Sequence, residues 1–160
     1  MLLFKTQDLK IAVASIPLFY AIYNVSYALF SWPAGRLADM WGSGKIIFLG
    51  YLFLILGYLV LNFSSSTFIL IVGFLFVGVF SALTDGVQRS HLSHLVDDRH
   101  KATAYGYLNA ASGFGALIAG VGGGYVWQNF GDTIAFALAV GVILFGLLLF
   151  LIGNTVKDAL

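Results

Sequence analysis

The chain has 160 residues, of which 60% are apolar and 9% charged, with eight Lys and Arg against seven Asp and no Glu. So few charges cannot clothe a soluble domain of this size, and three Trp, eight Tyr and fifteen Phe exceed what a small core holds. A net charge of +1 with no basic block gives no surface for nucleic acid, and zero Cys excludes disulfides, thiolate zinc sites and cysteine catalysis.

Four long uncharged stretches carry most of the information: residues 11–35, 46–84, 102–131 and 133–156. A bilayer core about 30 Å thick takes roughly 20 apolar helical residues. The second stretch is too long for one span and is broken by Asn62, Ser64, Ser65, Ser66 and Thr67, so it predicts two spans and a tight turn. The fold class expected is therefore all-α, a polytopic membrane protein with five transmembrane helices. Because the hydrophobicity continues to the C-terminus, a secretory signal followed by a soluble domain is excluded.

The first span, residues 11–33, holds Pro17 and a polar stripe. Tyr20, Asn24 and Tyr27 fall at i, i+4 and i+7, on one helix face. Such groups in lipid must face protein or water, so they are expected either to make a helix–helix contact or to line a cavity. Residues 35–45 then read as a loop whose glycines permit a sharp turn. The second and third spans, 46–62 and 68–84, offer only Gly50, Gly57, Gly73 and Gly78, which suggest close packing. Asp85 and Arg89 follow as an i, i+4 acid–base pair in the favourable order.

His91, His94 and His100 lie near Asp97 and Asp98 in what reads as a solvated loop. Two His three apart lack a defined third ligand, and the His-Glu-x-x-His pattern is absent, so no metal and no cofactor are expected. The fourth span, 102–127, carries Tyr105 and Asn109 as possible solute-lining groups. It also carries Ser112, Ala116, Gly120 and Gly124, a row of small residues every four positions that favours close helix packing. The fifth span, 133–153, is nearly all aliphatic plus Phe.

With five spans the loops alternate between two sides. Arg36, Lys45, Arg89, Arg99, Lys101 and Lys157 fall on one side, and Lys5 and Lys10 on the other. The positive-inside rule makes the first side cytoplasmic, with the C-terminal tail, residues 157–160, inside and the N-terminus outside. An outside N-terminus with two Lys suggests that residues 1–10 are an external connection following an earlier helix. The alternative is a genuine five-span protein with a short translocated tail.

The loop Gly35-x-Leu37-Ala38-Asp39-x-x-Gly42 resembles the signature loop of the major facilitator superfamily of secondary transporters. So does the later run from Asp85 through Arg89 to Lys101-Ala102-Thr103-Ala104-Tyr105-Gly106. The order of features is similar to helices eight to twelve of that family, over nearly all of residues 11–156. The chain departs from the pattern at Met40, Ser43 and Gly44, where the family usually has basic residues. The resemblance implies part of a six-helix bundle, the C-terminal half of a carrier that moves a small solute by alternating access, driven by protons or ions. It implies a gating role for Gly35, Leu37, Asp39, Gly42, Asp85 and Arg89, with Arg89 as the charge partner of Asp39. Its partners would be the bilayer of the cell membrane, the solute, and an N-terminal half lying outside this sequence, without which the chain would not transport. The competing expectation is a complete small protein acting as a homo-oligomeric channel or structural partner. An enzyme is not expected: Asp85-Gly86-x-x-Arg89 matches only the start of the alcohol-phosphotransferase signature, and the span that follows has no Asp.

Overall fold

A computed structural model describes residues 16–63 and 66–158, with side chains through Gly153. Residues 1–15, which include the expected external segment, and Ser64, Ser65 and the side chain of Lys157 lie outside the described residues. Five helices follow in order: α1 (Ile16–Trp41), α2 (Ser43–Asn62), α3 (Thr67–Leu95), α4 (Lys101–Phe130) and α5 (Asp132–Asp158), with a short 3-10 turn at Asp98–His100. No strand occurs among the described residues, so the chain is all-α.

The connections are tighter than the sequence suggested. The glycine-rich loop reduces to one residue: α1 runs through Gly35 and Asp39 to Trp41, and α2 begins at Ser43. Gly42 alone makes the turn, at φ +91°, a region open chiefly to glycine, and its N–H donates to the Ala38 carbonyl at 2.9 Å. Gly131 does the same between α4 and α5, at φ +84° with its N–H on the Trp127 carbonyl. α3 opens on Ser66, whose Oγ accepts from the Ile69 N–H at 3.4 Å. It also runs eleven residues past the expected end of its span, so Asp85 and Arg89 lie one helical turn apart, and His91 and His94 are helical rather than in a loop.

A tight three-helix core forms from α1, α2 and α3. Gly50 and Gly57 of α2 and Gly73 and Gly78 of α3 sit where the backbones come together. A Cβ on Gly78 would lie 2.6 Å from the Tyr23 carbonyl oxygen, and one on Gly50 would lie 2.8 Å from Thr84 Cγ2. The close packing read from these four glycines is what the fold uses. α1 runs parallel to α3, with Phe19 on Phe74 at 5.3 Å and Ala38 packed in one cluster with Val87. α2 is antiparallel to α3, with Gly50 beside Thr84 and Gly57 beside Phe76.

Two apolar clusters occupy the two ends of this core. Ala34, Ala38, Ile46, Ile47, Val79, Leu83 and Val87 form one, and Phe19, Leu61, Leu70, Phe74 and Phe136 the other. The buried hydroxyls are satisfied within the bundle. Ser26 Oγ donates to the Leu75 carbonyl at 3.0 Å, Tyr23 Oη to Ser81 Oγ at 2.9 Å, and Thr84 Oγ1 to the Phe80 carbonyl at 2.8 Å. Unpaired, each would be costly in an apolar surround. α5 lies along α2 through Phe136, which meets Tyr58 and Trp127 edge-on.

α4 is the outlier, with no buried residue. Ser112, Ala116 and Gly120 are exposed, and among the described residues a Cβ on Gly120 or Gly124 would meet nothing within 4 Å. The small-residue spacing was legible, but which glycines are covered depends on which helices neighbour one another. α2, α3 and the Asp132–Gly153 part of α5 are long and apolar enough to cross a membrane. At 26 and 30 residues, α1 and α4 have the length, but Tyr, Asn, Ser and Gly dilute their apolar content.

Candidate functional site

The helix directions bring the polar residues of α1, α3 and α4 to one place. Tyr27 of α1, Asp85, Gly86, Gln88 and Arg89 of α3, and Leu108, Asn109 and Ser112 of α4 line a cleft of about 350 Å³. It lies toward the end of the bundle that carries the Gly42 turn and the Asp98–His100 turn. Five residues singled out in the sequence for different reasons (Tyr27, Asp85, Arg89, Asn109 and Ser112) meet here. Gln88 was not singled out, because a lone Gln beside a charged pair carries no spacing signal.

α1 presents an aromatic ladder toward this side: Tyr20 stacks on Tyr23 at 5.8 Å and Tyr23 on Tyr27 at 6.4 Å. Of the sequence-read stripe only Tyr27 reaches the cleft. Tyr20 is 63% exposed, and Asn24 turns its amide onto its own helix, donating to the Tyr20 carbonyl at 2.7 Å. Tyr105 sits one turn nearer the start of α4, and its Oη donates to the Arg89 carbonyl at 3.3 Å. That bond ties α4 to α3 beside the cleft.

A smaller space of about 150 Å³ adjoins the cleft and shares Tyr27 and Gly86 with it. It is lined by Gly35, Ala38 and Asp39 on α1 and by Ala82, Val87 and Ser90 on α3. Here the signature segment has clear physical roles. Ala38 is buried in the core cluster with Val87, Leu37 packs on that cluster, Asp39 stays exposed, and Gly35 is open, an added Cβ there meeting nothing within 4 Å.

The charge pairing differs from expectation. No ion pair joins Asp39 to Arg89 or Asp85 to Arg89, although Arg89 is near enough to act electrostatically on Asp85. α1 stays helical to Trp41, so Asp39 has a fixed place on that helix, exposed and lining the smaller space against α3. Arg36 instead lies over the Trp32 ring at 5.0 Å, a cation–π contact. An ion pair from Lys101 to Asp98 at 2.6 Å closes the turn into α4. The Lys101 hydrogen bond, then its charge, hold the Asp98 carboxyl below the usual carboxylate range. Among the described residues no group of three His, Asp or Glu side chains is placed to hold a metal.

A family model described as Major Facilitator Superfamily matches residues 1–159. An uncharacterized MFS-type transporter of Methanocaldococcus jannaschii is 33% identical over 91% of this chain and 36% of its own length. An uncharacterized transporter of Buchnera aphidicola is 30% identical over 72% of this chain and 29% of its own length. The class H tetracycline resistance protein of Pasteurella multocida is 29% identical over 65% of this chain and 26% of its own length. The chain thus spans about a third of these curated relatives or less. No solved structure matches it significantly.

Proposed function

The chain belongs to the major facilitator superfamily, and from that premise we propose that it helps move a small solute across a membrane, its polar cleft forming one wall of the pathway. The observation that carries the reading is the convergence of Tyr27, Asp85, Arg89, Asn109 and Ser112 on one cleft between α1, α3 and α4. These are charged and hydrogen-bonding groups at membrane depth, which mark solute or ion pathways. Tyr27, Asn109 and Ser112 sit on α1 and α4, the two helices whose apolar content is diluted, and Asp85 and Arg89 on α3. In this reading α1 and α4 also cross the membrane, with their polar faces turned to the pathway rather than to lipid.

In this reading the bundle is part of one half of a rocking carrier, and the uncovered face of α4 meets the opposing half. The small side chains of Ser112, Ala116, Gly120 and Gly124 then let a partner helix approach closely. Gly35, Leu37, Asp39 and Gly42 belong to the cytoplasmic gate in this reading: Leu37 seats the end of α1 on the core it shares with α3, Gly42 turns the chain, and Asp39 is left exposed. Coupling to a proton or another ion, the cell membrane as location and a cytoplasmic C-terminus belong to the same proposal. Transport then requires the second half.

Two experiments test it. Because the chain has no Cys, single cysteines at Asn109 and Ser112 report the cleft without background. A water-soluble thiol reagent should label both, and should not label cysteines at Leu144 or Leu148 on α5; unreactive positions 109 and 112 would remove the cleft from the pathway. In proteoliposomes under a pH gradient, the chain alone should take up nothing. Tetracycline is the first solute to screen, because two of its relatives are named tetracycline resistance proteins. Saturable, gradient-driven uptake by the chain alone, lost on Asn109→Leu, would refute the need for a second half and favour a small homo-oligomeric transporter.

A further inference from the structure

The polar cleft ends at a thin partition. Gln88 and Leu108 line it on one side and line a second, larger space on the other. That space is a groove of about 520 Å³ among α2, α3, α4 and α5, apolar along Ile47, Ile143, Leu147 and Phe150. It lies within the roughly 300–1,000 Å³ range of small-molecule sites. Val142 on its wall is 70% exposed, so the groove opens on the surface of α5, a helix apolar enough to face lipid.

Little closes the seam between α3 and α4. The Gln88 amide is turned toward α2, where its Nε2 reaches Tyr51 Oη at 3.4 Å, a long bond by ordinary standards. The Tyr105 bond to the Arg89 carbonyl, at 3.3 Å, is similarly long. The Leu108 side chain is left as the main barrier between an apolar groove and a cleft that holds Asp85, Arg89 and Asn109.

We propose that groove and cleft act as one bipartite site for amphipathic solutes, the apolar body in the groove and the polar tip in the cleft, joined where Leu108 moves aside. The proposal rests on the reading of the cleft as part of the solute pathway. A purely polar solute gains nothing from the groove, and a purely apolar one leaves the charged cleft without a partner. Only an amphiphile gains from apolar burial and from placed polar contacts together. Such molecules also partition into the bilayer, which concentrates them beside the groove mouth.

The test uses the whole chain in lipid nanodiscs, with an environment-sensitive fluorophore on a single cysteine at Gly146 in the groove or at Ser112 in the cleft. The probes are phenylbutyl-trimethylammonium and phenylbutane sulfonate, with tetramethylammonium, methanesulfonate and butylbenzene as their separate halves. At least one amphiphile should shift both labels with the same midpoint, about tenfold below the midpoints of its halves. Leu108→Trp, which thickens the partition, should raise that midpoint at least about tenfold, whereas Val121→Trp elsewhere on α4 should not. An amphiphile that shifts only the groove label, or different midpoints at the two labels, overturns the proposal even if Leu108→Trp fails to fold. That outcome with position 112 still reactive to a water-soluble reagent leaves the cleft reading standing. An unreactive position 112 removes the cleft reading itself.

Discussion

Adding one methyl group at Gly78 should damage this bundle more than adding a whole side chain at Gly120. The Cβ of Gly78→Ala would lie 2.6 Å from the Tyr23 carbonyl oxygen, 2.8 Å from Ser26 Cβ and 3.0 Å from Ser26 Oγ. The first of these is backbone, so relief requires α1 to move away from α3 as a unit. Overpacking of this kind costs about 1–3 kcal/mol. Retreat of α1 also stretches the Ser26 bond to the Leu75 carbonyl and the Tyr23 bond to Ser81. Interhelical bonds within membranes contribute roughly 0.6 kcal/mol each, giving an expected loss of about 2–4 kcal/mol. At Gly73 an added Cβ would lie 2.5 Å from both Cδ2 and Cγ of Leu61, a side chain that is itself fully buried, so Gly73→Ala should also destabilise the bundle. At Gly120 no atom lies within 4 Å, and Gly120→Leu should leave the stability of the isolated chain unchanged. Reversible unfolding in mixed detergent micelles, followed by Trp fluorescence, measures all three. Equal stabilities for Gly78→Ala and the parent would show that α1 does not rest on α3 at this point, and the packing argument would fail with it.

Gly42→Ala should cost about 1–3 kcal/mol through backbone strain alone, since φ is +91° and no atom crowds the added Cβ; the same unfolding assay checks it, and an unchanged midpoint would mean the turn readily adopts another conformation. The folded-state value of Asp98 is lowered by Lys101, so its contribution is present above the ordinary value of 3.8 and is lost as pH falls through the lower folded value. Because Asp98 is exposed and Lys101 partly so, the contribution is small; Lys101→Ala should remove it at neutral pH and leave stability in acid unchanged, and an NMR titration of the Asp98 carboxyl gives the sign. Helix directions place Ser43 and Asn129 at opposite ends of the bundle, so single cysteines there should be labelled from opposite sides of the membrane in intact cells. Impermeant reagent reaching position 43 from outside would overturn the orientation taken from the basic residues.

By itself the sequence determined the class of molecule and the number of helices. A chain with 9% charge has few ways to satisfy its backbone other than helices in lipid, and polar breaks at residues 62–67 and at Gly131-Asp132 locate the reversals. Spacing also placed Tyr27, Asn109 and Ser112 as polar positions, and the Gly35–Gly42 pattern pointed to the family. Other features depended on which helix lies beside which. Gly50, Gly57, Gly73 and Gly78 are crowded while Gly120 and Gly124 are open, although all are small residues in apolar helices; the difference is that α3 lies between α1 and α2 and α4 lies outside. Asp39 and Arg89 were expected to pair because the resemblance makes Arg89 the charge partner of Asp39, where the loop and the end of the third span converge. The helix instead continues to Trp41, since a single glycine suffices to turn the chain, and Asp39 lines a space against α3 without an ion pair to Arg89. Spacing along one helix carries no information about the rotation of its neighbour, so only the tertiary structure joined Gln88 and Leu108 to both the polar cleft and the apolar groove.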